Sequence, residues 1–104
     1  MEFLRKLFGI KPNPVIDILA AGAKIIDVRT PMEFNGGHVK GAINVPLDQL
    51  KSKMKKLKQI KTPLVLYCAS GARSATATNI LKHNNITEVY NGGSISRVNR
   101  FINS

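Results

Sequence analysis

Tryptophan is absent from the 104 residues, and tyrosine and phenylalanine bring the aromatic content to only 6%. A hydrophobic core must then be built from Ile, Leu, Val and Ala, and a chain of this length supplies one such core and not two. There is one cysteine, Cys68, which excludes an intramolecular disulfide, a Cys-x-x-Cys redox pair and a cysteine-based zinc site. No apolar run is long enough for a membrane span or the core of a secretory signal. With the single cysteine, this leads us to expect a reducing, cytoplasmic setting. Acidic residues are scarce, six Asp plus Glu against sixteen Lys plus Arg, a formal +10.

Such an excess of positive charge raises nucleic acid or an anionic membrane surface as partners. Its distribution argues otherwise. Leu47, Leu50, Met54 and Leu57 mark one face of a helix, and Lys51, Lys53, Lys55, Lys56, Lys58 and Lys61 crowd the remaining surface, with no aromatic interleaving. A solvated helix face that concentrates small anions fits this pattern better. We expect no nucleic-acid partner, no stable membrane insertion and a monomer.

What the chain does have is an abrupt end to an apolar run at its one sulfur. Leu64 to Tyr67, introduced by Thr62-Pro63, has the composition of a buried strand, and from Ala72 onward small, helix-tolerant residues follow. Cys68 therefore sits at the carboxyl end of a strand with a helix beginning shortly after. Ala69, Ser70, Gly71 and Ala72 carry little bulk, so the loop can turn its N–H groups toward the sulfur, backed by the positive end of the helix dipole. Arg73 adds a fixed positive charge. These features lower a thiol from its reference pKa of about 8.5 and suit a thiolate or an anion built on that sulfur.

The rest of the chain frames this loop. Residues 1–12 read as an N-terminal extension or short helix, with Phe3, Leu4, Leu7 and Phe8 at helical spacing over Met1 to Ile10, and residues 13–104 read as a single domain. Asn13-Pro14 starts a helix carrying Val15, Ile18 and Leu19, which Gly22 ends. Lys24 to Val28 is a strand, and Thr30-Pro31-Met32-Glu33 is a capping box with proline at N1. Asp27 and Arg29 thus fall at a strand's carboxyl end, where open α/β sheets bind ligands. Together with Glu33 they are candidates to orient Arg73 or tune the field around Cys68. His38, with no acid partner or metal ligand at a useful spacing, reads as structural in a turn-rich segment, and His83 as a residue of a polar helix. Ala42 to Val45 and Thr87 to Tyr90 supply further strands, Asn91-Gly92-Gly93 turns the chain, and Ser94 caps a last helix with Ile95, Val98 and Ile102 on one side. Alternating strands and helices argue a three-layer α/β/α arrangement around a mainly parallel sheet.

Two blocks also carry a family resemblance. Tyr67-Cys68-Ala69-Ser70-Gly71-Ala72-Arg73-Ser74 resembles the active-site loop of single-domain rhodanese-like sulfurtransferases. Ile26 to Phe34, followed by Gly37 to Leu47, resembles the same family's N-terminal half. The resemblance implies a rhodanese-like fold of four to five strands, four of which are visible in the sequence. Where the family commonly places an aromatic beyond the Gly92-Gly93 pair, this chain has Ser94-Ile95-Ser96-Arg97. Four residues separate Cys68 from Arg73, as in the sulfurtransferases; the related cysteine phosphatases have one more, for a tetrahedral phosphoryl group. The expected activity is transfer of a sulfane sulfur from thiosulfate or a similar small anion to cyanide, a thiol or a protein acceptor through a Cys68 persulfide. The substrate would be held by Ala69, Ser70, Gly71, Ala72 and Arg73, and no metal or other cofactor is expected. The alternatives are a non-catalytic rhodanese-like binding module and a persulfide carrier for a dedicated partner protein.

Overall fold

A computed structural model describes residues 13–103. The helix expected within Met1 to Ile10 lies outside them. Helix α1 (Pro14–Ala20) begins where the Val15 amide donates to Asn13 Oδ1 at 3.0 Å, with proline at N1, and Gly22 at φ +96° follows its end. Strand β1 (Lys24–Asp27) leads into α2 (Pro31–Asn35), whose capping box forms in full: the Glu33 amide donates to the Thr30 hydroxyl, and the Glu33 carboxylate accepts from the Thr30 amide. Then come the short β2 (Ile43–Asn44), a 3₁₀ turn (Leu47–Gln49), α3 (Leu50–Lys58), β3 (Leu64–Cys68), α4 (Ala72–His83), β4 (Val89–Ser94) and α5 (Ile95–Ile102).

The four strands run parallel in the order β2-β1-β3-β4. Strand β3 is buried along its whole length, because helices cover both faces of the sheet. On one face Ile26, Leu66 and Cys68 pack with Leu50 and Leu57 of α3 and Leu81 of α4. On the other, Ile25 and Tyr67 pack with Val98 of α5 and Leu19 of α1. Neighbouring Tyr67 and Cys68 therefore point into different layers, as strand alternation requires. The three-layer parallel architecture is the one expected. The described residues hold four strands, and the fifth implied by the resemblance is not among them.

One segment departs from the sequence reading. Asn91-Gly92-Gly93 was expected to turn the chain after a strand over Thr87 to Tyr90; instead the strand starts at Val89 and continues through it to Ser94. The glycines have a different purpose. A Cβ on Gly92 would meet Val98 Cγ2 at 2.8 Å and Val65 Cγ1 at 2.9 Å, so only glycine lets the strand pass this close to α5 and β3. Leu66 pairs with Asn91 but Tyr67 pairs with Gly93, which makes Gly92 the extra residue of a β-bulge, and Gly93 takes φ +90°. The bulge sets Ser94 opposite Cys68 and lays Gly93 against Gly71 of the cysteine loop.

Candidate active site

Cys68 is the last residue of β3, and its side chain lies wholly inside the protein. The loop after it turns back over the sulfur through Gly71, whose φ of +104° a residue with a side chain adopts only with strain. The Gly71 amide donates to Sγ at 3.0 Å and the Ser74 amide at 3.4 Å, and the Ser74 hydroxyl lies 3.5 Å away. Burial pushes the thiol up. Hydrogen bonds from the Ser74 hydroxyl and the amides of Ser74, Gly71 and Ser70 outweigh it, and the Cys68 pKa falls below its ordinary value. The sulfur also sits at the N-terminal end of the twelve-residue helix α4, whose dipole adds to the same effect.

Arg73 leaves the first turn of α4 and forms a two-pronged ion pair with Glu33, Nη1 to Oε1 at 2.7 Å and Nη2 to Oε2 at 3.0 Å. Glu33 is held at the same time by the Thr30 amide and hydroxyl, so one carboxylate caps α2 and orients the arginine. The Arg73 guanidinium, with help from the Thr30 amide, lowers Glu33 to about 2. Its hydrogen bond to Glu33 raises Arg73 in turn. Both side chains remain about one-third exposed. Beside Arg73 is a depression of about 240 Å³ with Val28, Pro46 and Leu47 as its apolar wall and Thr30 and Asp48 as polar members.

Asp27 and Arg29 are brought to each other. Arg29 donates to the Asp27 carboxylate from its amide at 2.8 Å and from Nε and Nη2, the last at 2.7 Å, and Nη2 also reaches the Gly37 carbonyl at 2.6 Å. The Tyr67 hydroxyl donates to Asp27 Oδ2 at 2.7 Å and accepts from the Val39 amide at 3.0 Å. Burial, reinforced by Asp27 and opposed by the Val39 amide, pushes Tyr67 up to about 12. This network lies in the Tyr67 layer, across the sheet from Cys68. His38 stacks on Phe34 with ring centroids 3.7 Å apart and bonds the Phe34 carbonyl through Nδ1 at 2.9 Å. His83 Nδ1 pairs with the Asn79 carbonyl. Among the described residues, no group of three or more His, Cys, Asp or Glu could hold a metal ion, and no helix is long and apolar enough to cross a membrane.

Of the predicted loop residues, Ser70 and Gly71 turn amides toward the sulfur, while Ala69, Ser70 and Ala72 are exposed at the surface. Ser74 makes closer use of the sulfur than any of the alanines, and sequence reasoning passed over it. Its signal was a hydroxyl at the third position of a helix whose N-terminus faces a cysteine. Arg97, in the segment after Gly92-Gly93 that lacks an aromatic, lies across Gly93 with its guanidinium carbon 5.2 Å from the centre of the Phe101 ring.

The sequence of residues 11–95 matches the rhodanese-like domain family. The chain is 48% identical over 69 residues to the uncharacterized protein YqhL of Bacillus subtilis, a match covering 66% of this chain and 54% of YqhL, so it spans about half that protein's length. It is 42% identical over 84 residues to thiosulfate sulfurtransferase 16, chloroplastic, of Arabidopsis thaliana, covering 70% of each. Among solved structures, a rhodanese with anions from E. coli superposes with a TM-score of 0.67 at 34% identity, over 73% of this chain and 91% of the other.

Proposed function

Because the chain belongs to the rhodanese-like domain family, we propose that it is a sulfurtransferase that carries sulfane sulfur as a persulfide on Cys68. The observation that carries the reading is the cradle itself: a buried sulfur at the end of β3 receiving the Gly71 and Ser74 amides within a loop closed by Arg73. A donor such as thiosulfate fits the fixed charge of Arg73 and the basic surface, which raise the local concentration of a small anion.

Transfer proceeds by two displacements. The Cys68 thiolate attacks the outer sulfur of thiosulfate, a new S–S bond forms, the S–S bond of the donor breaks, and sulfite leaves with the electron pair. An acceptor nucleophile, cyanide in the test tube or a thiol, then attacks the outer sulfur and regenerates the thiolate. The loop amides stabilise the charge that develops on sulfur in both steps, without reorganising as it forms. Glu33 serves as a positioning residue by holding Arg73. The four-residue spacing from Cys68 to Arg73 suits one added sulfur rather than a phosphoryl group.

The test is thiocyanate release from thiosulfate and cyanide. Cys68→Ser should abolish it in a folded protein, and Arg73→Gln should raise the KM for thiosulfate more than it lowers kcat. An active serine variant would remove Cys68 from the mechanism. No turnover by the reduced wild-type protein would favour a partner-dependent carrier or a binding module.

A further inference from the structure

Asn91, on the bulged strand β4, makes three hydrogen bonds, two of them to the cysteine loop and the helix that follows it. Its Oδ1 accepts from the Ser74 hydroxyl at 2.6 Å and from the Gly93 amide at 2.9 Å, and its Nδ2 donates to the Gly71 carbonyl at 3.4 Å. The Ser74 hydroxyl has one proton and four acceptors within reach: Asn91 Oδ1, the Gly71 carbonyl at 3.1 Å, the Gly93 carbonyl at 3.4 Å and Cys68 Sγ at 3.5 Å. The bond to Asn91 is the shortest by a wide margin. A hydroxyl that gives its proton to Asn91 can accept from a Cys68 thiol but cannot donate to a Cys68 thiolate.

We infer that Asn91 is a positioning residue that competes with Cys68 for the single proton of Ser74, and so keeps the loop from holding its sulfur too strongly as an anion. While its proton sits on Asn91 the Ser74 hydroxyl only accepts from sulfur and favours the thiol; when it turns to sulfur it joins the amides of Ser70, Gly71 and Ser74 in favouring the thiolate. The balance has a chemical use. A thiolate that is stabilised too far loses nucleophilicity, and attack is fastest when the thiol ionises near ambient pH. The charged groups around this relay are Arg73 on α4 with its partner Glu33 on α2, and Lys82 of α4 and Arg97 of α5, which line a depression together with Asn91; Asp27 and Arg29 of the β1 end lie across the sheet, and the groups that α3 and β1 pack around Cys68 are apolar. Asn91 acts through Ser74 and touches none of these charges in the hydrogen bonds it makes.

The inference rests on Cys68 being the reactive group, but its test needs no sulfur transfer. The pH dependence of iodoacetamide alkylation, with thiolate absorbance as a second readout, is measured for the full-length wild type, Asn91→Ala, Asn91→Asp, Ser74→Ala and the two double variants. Asn91→Ala frees the Ser74 proton for the thiolate, and the midpoint should fall by about one unit, a tenfold gain in thiolate on the acid side. Asn91→Asp is nearly isosteric and keeps an acceptor for Ser74 and Gly93, now charged, so the midpoint should rise. In the Ser74→Ala background the effect of Asn91→Ala should vanish and that of Asn91→Asp should shrink. If Asn91 only braces the loop, both substitutions would raise the midpoint, which overturns the inference, as would shifts of equal size with and without the Ser74 hydroxyl. Should Asn91→Ala fail to fold, the Asn91→Asp pair decides, since a purely through-space charge effect is the same in both backgrounds. Cyanide turnover distinguishes failure of this relay from failure of the transfer reading, because the latter leaves the titrations unchanged.

Discussion

Replacing Asp27 by alanine is the most severe single test of what holds the sheet's binding end together. Asp27 is fully buried and Arg29 nearly so. The carboxylate accepts the Arg29 amide, both Nε and Nη2 of its guanidinium, and the Tyr67 hydroxyl. Alanine leaves the guanidinium with the Gly37 carbonyl as its remaining acceptor and strips Tyr67 of its own. Breaking a buried pair by removing one partner costs about 3–5 kcal/mol, a large share of the 5–15 kcal/mol or so that holds a domain folded. For a domain of this size that is a fall in Tm of roughly 12 °C or more. Urea denaturation followed by circular dichroism measures it. The double variant Asp27→Leu with Arg29→Met should recover part of the loss, since an apolar pair of similar volume often replaces a buried ion pair without penalty, while the Tyr67 hydroxyl still lacks its acceptor. A loss below about 1 kcal/mol for Asp27→Ala is the range of a solvent-screened surface pair and would refute the reasoning.

Gly92→Ala should destabilise the protein by about 1–3 kcal/mol, because the new methyl meets the Val98 and Val65 side chains below 3 Å and the Leu66 carbonyl at 3.1 Å; an unchanged urea midpoint would show that β4 shifts freely. The Glu33–Arg73 pair has a defined acid limit. Glu33 is held down to about 2, so its contribution is fully present above the unfolded carboxylate's pKa of about 4.3 and is lost as pH falls toward the folded value. The stability difference between wild type and Glu33→Gln should therefore be constant near neutrality and shrink below about pH 4, and a difference that grows on acidification contradicts the pairing. Alkylation of Cys68 should titrate below an ordinary thiol, since its hydrogen bonds outweigh burial; Ser74→Ala removes a proton that the thiolate must share with Asn91, so the midpoint should rise by less than Asn91→Ala lowers it.

Local signals in the sequence were faithful where the physics is local. Asn13 caps α1, Thr30 and Glu33 close a box, Ser94 caps α5 by accepting from the Arg97 amide, and the run ending at Cys68 is the central strand. Each depends on residues a few positions apart. The reading of Asn91-Gly92-Gly93 as a turn failed because a glycine pair signals both a reversal and a close approach, and only the packing of α5 on β3 decides which. The Asp27–Tyr67–Val39 network and the Asn91–Ser74 bond join residues 40, 28 and 17 positions apart, so nothing in their neighbourhoods announces them. Glu33 stands between these cases: its capping role is written in four consecutive residues, its grip on Arg73 is not.

The central claim is that Cys68 accepts and gives up one sulfur. Its most direct test is the intact mass of the reduced protein before and after thiosulfate, then after cyanide with a thiocyanate assay. The account predicts a gain of one sulfur atom on Cys68, absent in Cys68→Ser, and its stoichiometric loss as thiocyanate. A folded, reduced protein that gains no mass, or one that gains it elsewhere than Cys68, would contradict it.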